Sequence, residues 1–186
     1  GHQRAQRSAP GRMGPPGRPT GEPRRARDEG NLVSAAPTVL IVPGLRDVVL
    51  QHWQTLLAAQ WPGARTVPPL CREQIDLAAR IAALDREVAA IDGPIVIVAH
   101  SGGCITVAHW ARSNRHAVCG ALLAAPPDFE TPMPEGYPTL ESLDAAGWLP
   151  VPRDRLPFAS LVGASRNDPL ARFDRVEQLA RDWGSE

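Results

Sequence analysis

The sequence predicts an α/β domain built on a doubly wound, mostly parallel sheet. Three observations carry that expectation. Short apolar runs recur along the chain: TVLIV (38–42), IVIVA (95–99), VCGALLAA (118–125) and FASLVGA (158–164). Stretches with helical spacing separate them. The first two runs show no polar alternation, so their strands are buried on both faces. Alternating strands and helices of this kind give a parallel sheet covered on both sides.

The elements follow in order. After the strand at 38–42, residues 49–60 read as a helix with Leu50, Trp53, Leu56 and Leu57 on its buried face. A short strand is expected at 64–68. Residues 72–91 form an amphipathic helix, because Leu77, Ile81, Leu84, Val88 and Ile91 are spaced by three and four. Asp92-Gly93-Pro94 stops it. The strand at 95–99 leads into a helix at about 102–112. A strand at 118–125 opens a proline-rich loop, 126–157, with one short helix near 139–146. The strand at 158–164 precedes a helix at about 170–183, marked by Phe173, Val176, Leu179 and Trp183. There are no internal repeats.

A chain of 186 residues allows one domain with a real core. Twenty basic and 20 acidic residues cancel, so composition favours neither a nucleic-acid nor a membrane partner. All the basic residues are arginine, which reads as coding bias. Cys71, Cys104 and Cys119 form no CxxC motif and are expected to be small buried thiols in a reducing compartment. No apolar run is long enough to span a bilayer and no signal-peptide pattern is visible, so a cytoplasmic location is expected. No metal and no cofactor are expected.

Residues 1–32 differ from the rest. They hold seven arginines, three acidic residues, five prolines and six glycines, with few apolar side chains. Such a segment cannot bury enough surface to offset the entropy of ordering, and it is expected to be a disordered arm. A non-native leader is the first reading of this arm, and a nucleic-acid-binding arm a lesser one. Residues 33–186 form the folded domain. The arm carries +4 (7 − 3) and the remainder −4 (13 − 17), which argues further against nucleic acid.

The chemistry centres on AHSGG (99–103). Ser101 ends a buried strand and starts a helix, and two glycines follow it. A serine in a sharp strand-to-helix turn presents its hydroxyl beside a helix N-terminus, whose free amides can stabilise an oxyanion. The alternative is a serine that merely caps the helix. VPGLRD (42–47) ends the first strand at the same edge of the sheet. The backbone N–H of Leu45 there, with that of Gly102, would form the oxyanion hole. In SRNDP (165–169), Asp168 follows the last visible strand and suits the orienting acid of a Ser-His-Asp set. Its alternative is a helix N-cap, and Asp128 is the competing acid.

The base is missing. In this chain order the histidine should follow Asp168, after one more strand. No histidine follows His116. His2 lies in the arm. The side chain of His100 leaves the backbone in another direction from that of Ser101. His109 lies two turns into the helix, and His116 sits at the wrong edge. His52 could line the pocket. The expectation is therefore that the base lies beyond Glu186 and that this chain is a fragment, inactive as given.

Taken together, VLIVPGLRD…HWQ, VAHSGG, AHWA, ALLAAPPD and SRNDP resemble the small serine hydrolases related to retinoblastoma-binding protein 9, in the α/β-hydrolase superfamily. The resemblance runs from Thr38 to Trp183. It implies an α/β-hydrolase fold without a large lid, here lacking its last strand and helix. It also implies Ser101 as nucleophile and Asp168 as triad acid. The family's histidine lies in a Gly-His segment with no match here, and Ala99 replaces the first glycine of the usual turn. A cofactor-free carboxylesterase acting on a small-molecule ester is the expected activity, and a thioesterase or acyltransferase on the same residues is an alternative to it. The pocket loop, with Met133, Tyr137 and Trp148, would distinguish these. The rival class is a non-catalytic module that binds a protein partner.

Overall fold

The apolar runs become the strands they predict. The structure is a computed structural model that describes residues 36–46, 49–71 and 73–186. The arm expected over residues 1–32 lies outside them. The strands are β1 (Thr38–Val42), β2 (Arg65–Thr66), β3 (Ile95–His100), β4 (Val118–Ala124) and β5 (Ser160–Gly163). The helices are α1 (Trp53–Gln60), α2 (Leu77–Ala89), α3 (Gly102–Ala111), α4 (Leu140–Ala145) and α5 (Phe173–Trp183). The sheet order is β2-β1-β3-β4-β5, and each pairing is parallel.

The two-residue period of the strands divides the core into layers. Leu40, Val42, Ile97, Ala99, Ala121 and Leu123 point to one face, where they pack with residues of α2, α3 and α5. Val39, Ile41 and Val98 point to the other, against Leu57 and Ala58 of α1. Leu40, Ile97 and Leu123 are wholly buried, and each contributes about 2 kcal/mol by leaving water. The chain steps from β1 outward to β2 and then crosses back to β3. Strand order therefore reverses between β1 and β3, and a crevice opens beyond their C-terminal ends, the usual ligand position in open α/β sheets.

The buried face of α1 differs from the expected one. Leu50 is 80 % exposed and Leu56 48 %, whereas Gln54 is buried. The Gln54 side-chain amide donates to the Val42 carbonyl at 3.1 Å and the Val98 carbonyl at 3.0 Å. These acceptors lie where β1 and β3 part, and a buried carbonyl needs a donor. Hydrophobic spacing does not register that demand. The helix also starts later than expected, at a cap formed by His52 Nδ1, which accepts the Gln54 N–H at 3.3 Å. In the same way α2 begins at Leu77, because Asp76 Oδ1 accepts the Ala79 N–H at 3.2 Å.

The cysteines also depart from expectation. Cys104 alone is buried, and Cys71 and Cys119 are exposed. Cys119 falls at a register shift between the pairs Ile95–Val118 and Val96–Gly120, so it bulges out of the ladder.

At the outer edge of β5, the Glu186 N–H donates to the Ser160 carbonyl at 3.0 Å. The Val162 N–H donates back to the Glu186 carbonyl at 2.8 Å. This is the slanted pattern of a parallel pair. Leu161, on the same strand, is 53 % exposed. Among the described residues, no helix is long and apolar enough to cross a membrane.

Candidate active site

The strand β3 passes into α3 through a single residue. Ser101 there has φ 52° and ψ −130°, a conformation that costs a non-glycine residue about 1–3 kcal/mol. The surroundings enforce it. The Ser101 N–H donates to the Ala124 carbonyl on β4 at 2.9 Å, and the Ser101 carbonyl accepts the Cys104 N–H at 2.8 Å. Gly103 lets α3 lie against the end of β1, since a Cβ there would stand 2.6 Å from both the Val42 and Pro43 carbonyl oxygens. The Ser101 side chain makes no capping hydrogen bond. Helix capping therefore does not account for the serine, and its hydroxyl lines a cleft at the N-terminus of α3.

The turn after β1 closes on this hydroxyl. A Cβ on Gly44 would stand 3.2 Å from Ser101 Cβ and 3.6 Å from its Oγ. The next residue, Leu45, lays its side chain over Gly102, where a Cβ would meet Leu45 Cγ at 2.8 Å. The amides of Leu45 and Gly102 donate to no acceptor among the described residues. Two free N–H groups thus flank the serine. Behind the turn, Arg80 of α2 donates through Nη1 to the Gly44 carbonyl at 3.3 Å and through Nη2 to the Gln74 carbonyl at 3.0 Å. Arg80 is buried, with no ion-pair partner among the described residues.

The two candidate acids have separate lives. Asp168 sits in the loop beyond β5, half-buried, with Oδ1 accepting the Leu170 N–H at 2.8 Å. It is not the N-cap of α5, a position held by Arg172, and its charge is felt at His100. Asp128 is committed elsewhere. It accepts from Arg175 at 2.9 and 3.2 Å, from the Thr131 hydroxyl at 3.1 Å and from the Glu130 N–H at 3.1 Å. Burial alone would raise its pKa, but these bonds and the Arg175 charge reverse the effect and hold it below the ordinary value. Glu130 and Asp182 in turn pair with Arg153.

His100 lines the same cleft as Ser101, its ring 4.6 Å from the ring of His52. Neither ring is hydrogen-bonded to Ser101 among the described residues. Burial lowers the pKa of His52. Burial, reinforced by the His52 charge and opposed by Asp168, lowers that of His100 to about 4. Both rings are neutral at pH 7. His109 is taken up by the Trp148 carbonyl, 3.1 Å from Nε2, and His116 is exposed.

The depressed pKa of His100 has a consequence for stability. Below pH 6.5 the unfolded chain protonates this ring, while the folded chain resists until about 4. Stability is then full above pH 6.5 and falls as pH drops through that window. The loss is about 2 kcal/mol once solvent at the cleft mouth is allowed for. Urea midpoints at about pH 7.5 and 5 should show it, and His100→Asn should remove this part of the slope.

The cleft has a volume of about 730 Å³. Leu45, Val49, Phe129, Met133, Tyr137 and Leu170 give it apolar walls, with Arg46 and Glu73 as charged groups. Met133 and Tyr137 lie where the sequence places them. Trp148 does not: it is wholly buried, its Nε1–H donates to the Ile75 carbonyl and its ring meets Phe129 edge-on. A long loop carries both core and cleft residues, and composition cannot tell them apart. No cluster of three or more metal-ligating side chains occurs among the described residues.

Comparison with known proteins adds three findings. The family model described as "Serine hydrolase" matches residues 39–186. A crystal structure described as a YdeN-like hydrolase from Pectobacterium atrosepticum is 28 % identical, with TM-score 0.68 over 80 % of this chain and 74 % of that one. The ydeN gene product of Bacillus subtilis is 21 % identical, with TM-score 0.55 over 81 % of this chain and 82 % of that one, a likeness of fold. No curated protein matches the sequence.

Proposed function

Because the chain belongs to the serine hydrolase family, we propose that it cleaves carboxylic esters of small apolar acyl groups, with Ser101 as nucleophile. The observation that carries this reading is the strained Ser101 backbone, which aims an uncapped hydroxyl into the cleft. Ser101 Oγ attacks the ester carbonyl and gives its proton to an imidazole. The tetrahedral oxyanion accepts hydrogen bonds from the Leu45 and Gly102 amides. Collapse expels the alcohol, protonated by the imidazolium, and water then releases the acid by the same steps. Asp168 fixes the imidazole tautomer. Apolar cleft walls favour an uncharged acyl group.

The base in this reading is a histidine carried by a parallel neighbour along the outer edge of β5. Glu186 already pairs there, and a parallel neighbour of β5 ends at the same edge as the Asp168 loop. His52 and His100 are weaker candidates, since burial reduces their basicity.

A fluorophosphonate probe tests the reading on residues 1–186 and on the chain extended through that strand. The extended protein should label rapidly, and Ser101→Ala should abolish labelling. The 186-residue chain should label at least about a thousandfold more slowly, the scale on which a missing base slows such chemistry. Equal rates would place the base within residues 1–186. No labelling of either folded protein would refute Ser101 as an activated nucleophile.

A further inference from the structure

We propose that Arg80 is a positioning residue of the oxyanion hole: its guanidinium holds the Gly44–Leu45 peptide so that the Leu45 N–H faces the oxyanion. The inference rests on the assignment of Ser101 and Leu45 above. The Gly44 carbonyl and the Leu45 N–H belong to one planar trans peptide, and they point in opposite directions. A donor that fixes the carbonyl from behind therefore fixes where the N–H points. Arg80 Nη1 is that donor, at 3.3 Å. The same peptide lies against the nucleophile, with a Gly44 Cβ position 3.6 Å from Ser101 Oγ.

The residue type is informative. Arg80 is 6 % exposed, and its Nε has no acceptor among the described residues. Burying an arginine without an acid partner is costly, and a neutral donor would satisfy a carbonyl at less expense. A cation, however, also polarises the peptide it touches and places positive potential behind the developing oxyanion. Among the described residues no carboxylate pairs with it to cancel that potential, in surroundings where charge is poorly screened. The second anchor, the Gln74 carbonyl at 3.0 Å, keeps the guanidinium from following the substrate.

Phenylboronic acid provides the test, because its adduct with a serine hydroxyl carries a negative oxygen at the oxyanion position. Toluene, which has no such oxygen, reports the cleft alone. Affinities would be measured on the extended protein used for probe labelling, by tryptophan fluorescence, with folding followed by circular dichroism. Arg80→Met should weaken the boronate by about ten- to a hundredfold while toluene affinity is unchanged. Arg80→Lys, which keeps the charge but cannot span both carbonyls, should lose a few-fold. If Arg80→Met does not fold, the Arg80→Lys loss for boronate relative to toluene decides. Unchanged boronate affinity in the folded variant would overturn the proposal, as would parallel loss of both ligands, which would make Arg80 a support of cleft shape. Failure of the wild-type protein to bind the boronate, or equal binding by Ser101→Ala, would instead remove the Ser101 assignment on which the inference rests.

Discussion

On the triad proposed above, Asp168→Asn is expected to lower kcat for ester hydrolysis by about 10⁴-fold without destabilising the fold, measured on a protein that contains the proposed histidine. The asparagine keeps the shape of the side chain and can still accept the Leu170 N–H through its oxygen, the one side-chain hydrogen bond that Asp168 makes among the described residues. What it loses is negative charge, which in the proposed triad selects the productive imidazole tautomer and stabilises the imidazolium formed at the transition state. The loss should therefore appear in kcat, with KM little changed. Asp128→Asn is the control with the opposite signature. Its carboxylate is gripped by Arg175 in a half-buried pair that ties the loop after β4 to α5. That variant should lose about 2–3 kcal/mol of stability and leave the turnover of the folded protein near wild type. The urea midpoint and kcat, taken together, separate the two acids. A large kcat loss in Asp128→Asn alone would reverse their roles.

The strands and the strand-to-helix turn at Ser101 are legible in the sequence because they are local. A buried strand needs an unbroken apolar run, and TVLIV and IVIVA have one. A serine between such a strand and a glycine pair has few other uses. Less legible is whatever one element does for another. Gln54 reads as a surface residue of an amphipathic helix until two strand-end carbonyls are seen to need its amide. Arg80 carried a faint signal, since it lies three residues after Leu77 and four before Leu84, on their side of the helix. Charge argued against burial, and no pattern within α2 announces a carbonyl at Gly44. That His100 and His52 bring their rings together in the cleft is likewise a contact between two elements, which neither element's pattern announces.

Gly103→Ala should lower stability by about 3 kcal/mol, a fall in Tm of about 10 °C for a domain of this size. It should also slow labelling of Ser101 by about a hundredfold. The added methyl would lie 2.6 Å from two carbonyl oxygens, of Val42 and Pro43. Those atoms lie at the end of β1 and one residue beyond it, and β1 is paired along its length with β3 and cannot move alone. The N-terminus of α3 must retreat instead, taking Ser101 and the Gly102 amide away from the Leu45 amide. A misplacement of about 1 Å at a reacting centre costs about a hundredfold in rate, so stability and reactivity should fall together. Gly102→Ala makes the contrast. Its methyl would meet the Leu45 side chain, with Cγ at 2.8 Å, and a leucine can change rotamer where a strand carbonyl cannot shift. That variant should cost about 1 kcal/mol or less. Thermal melts and probe-labelling rates of the two variants compare a side-chain obstacle with a backbone obstacle one residue apart. Equal effects would mean that the approach of α3 to β1 does not set the position of the nucleophile.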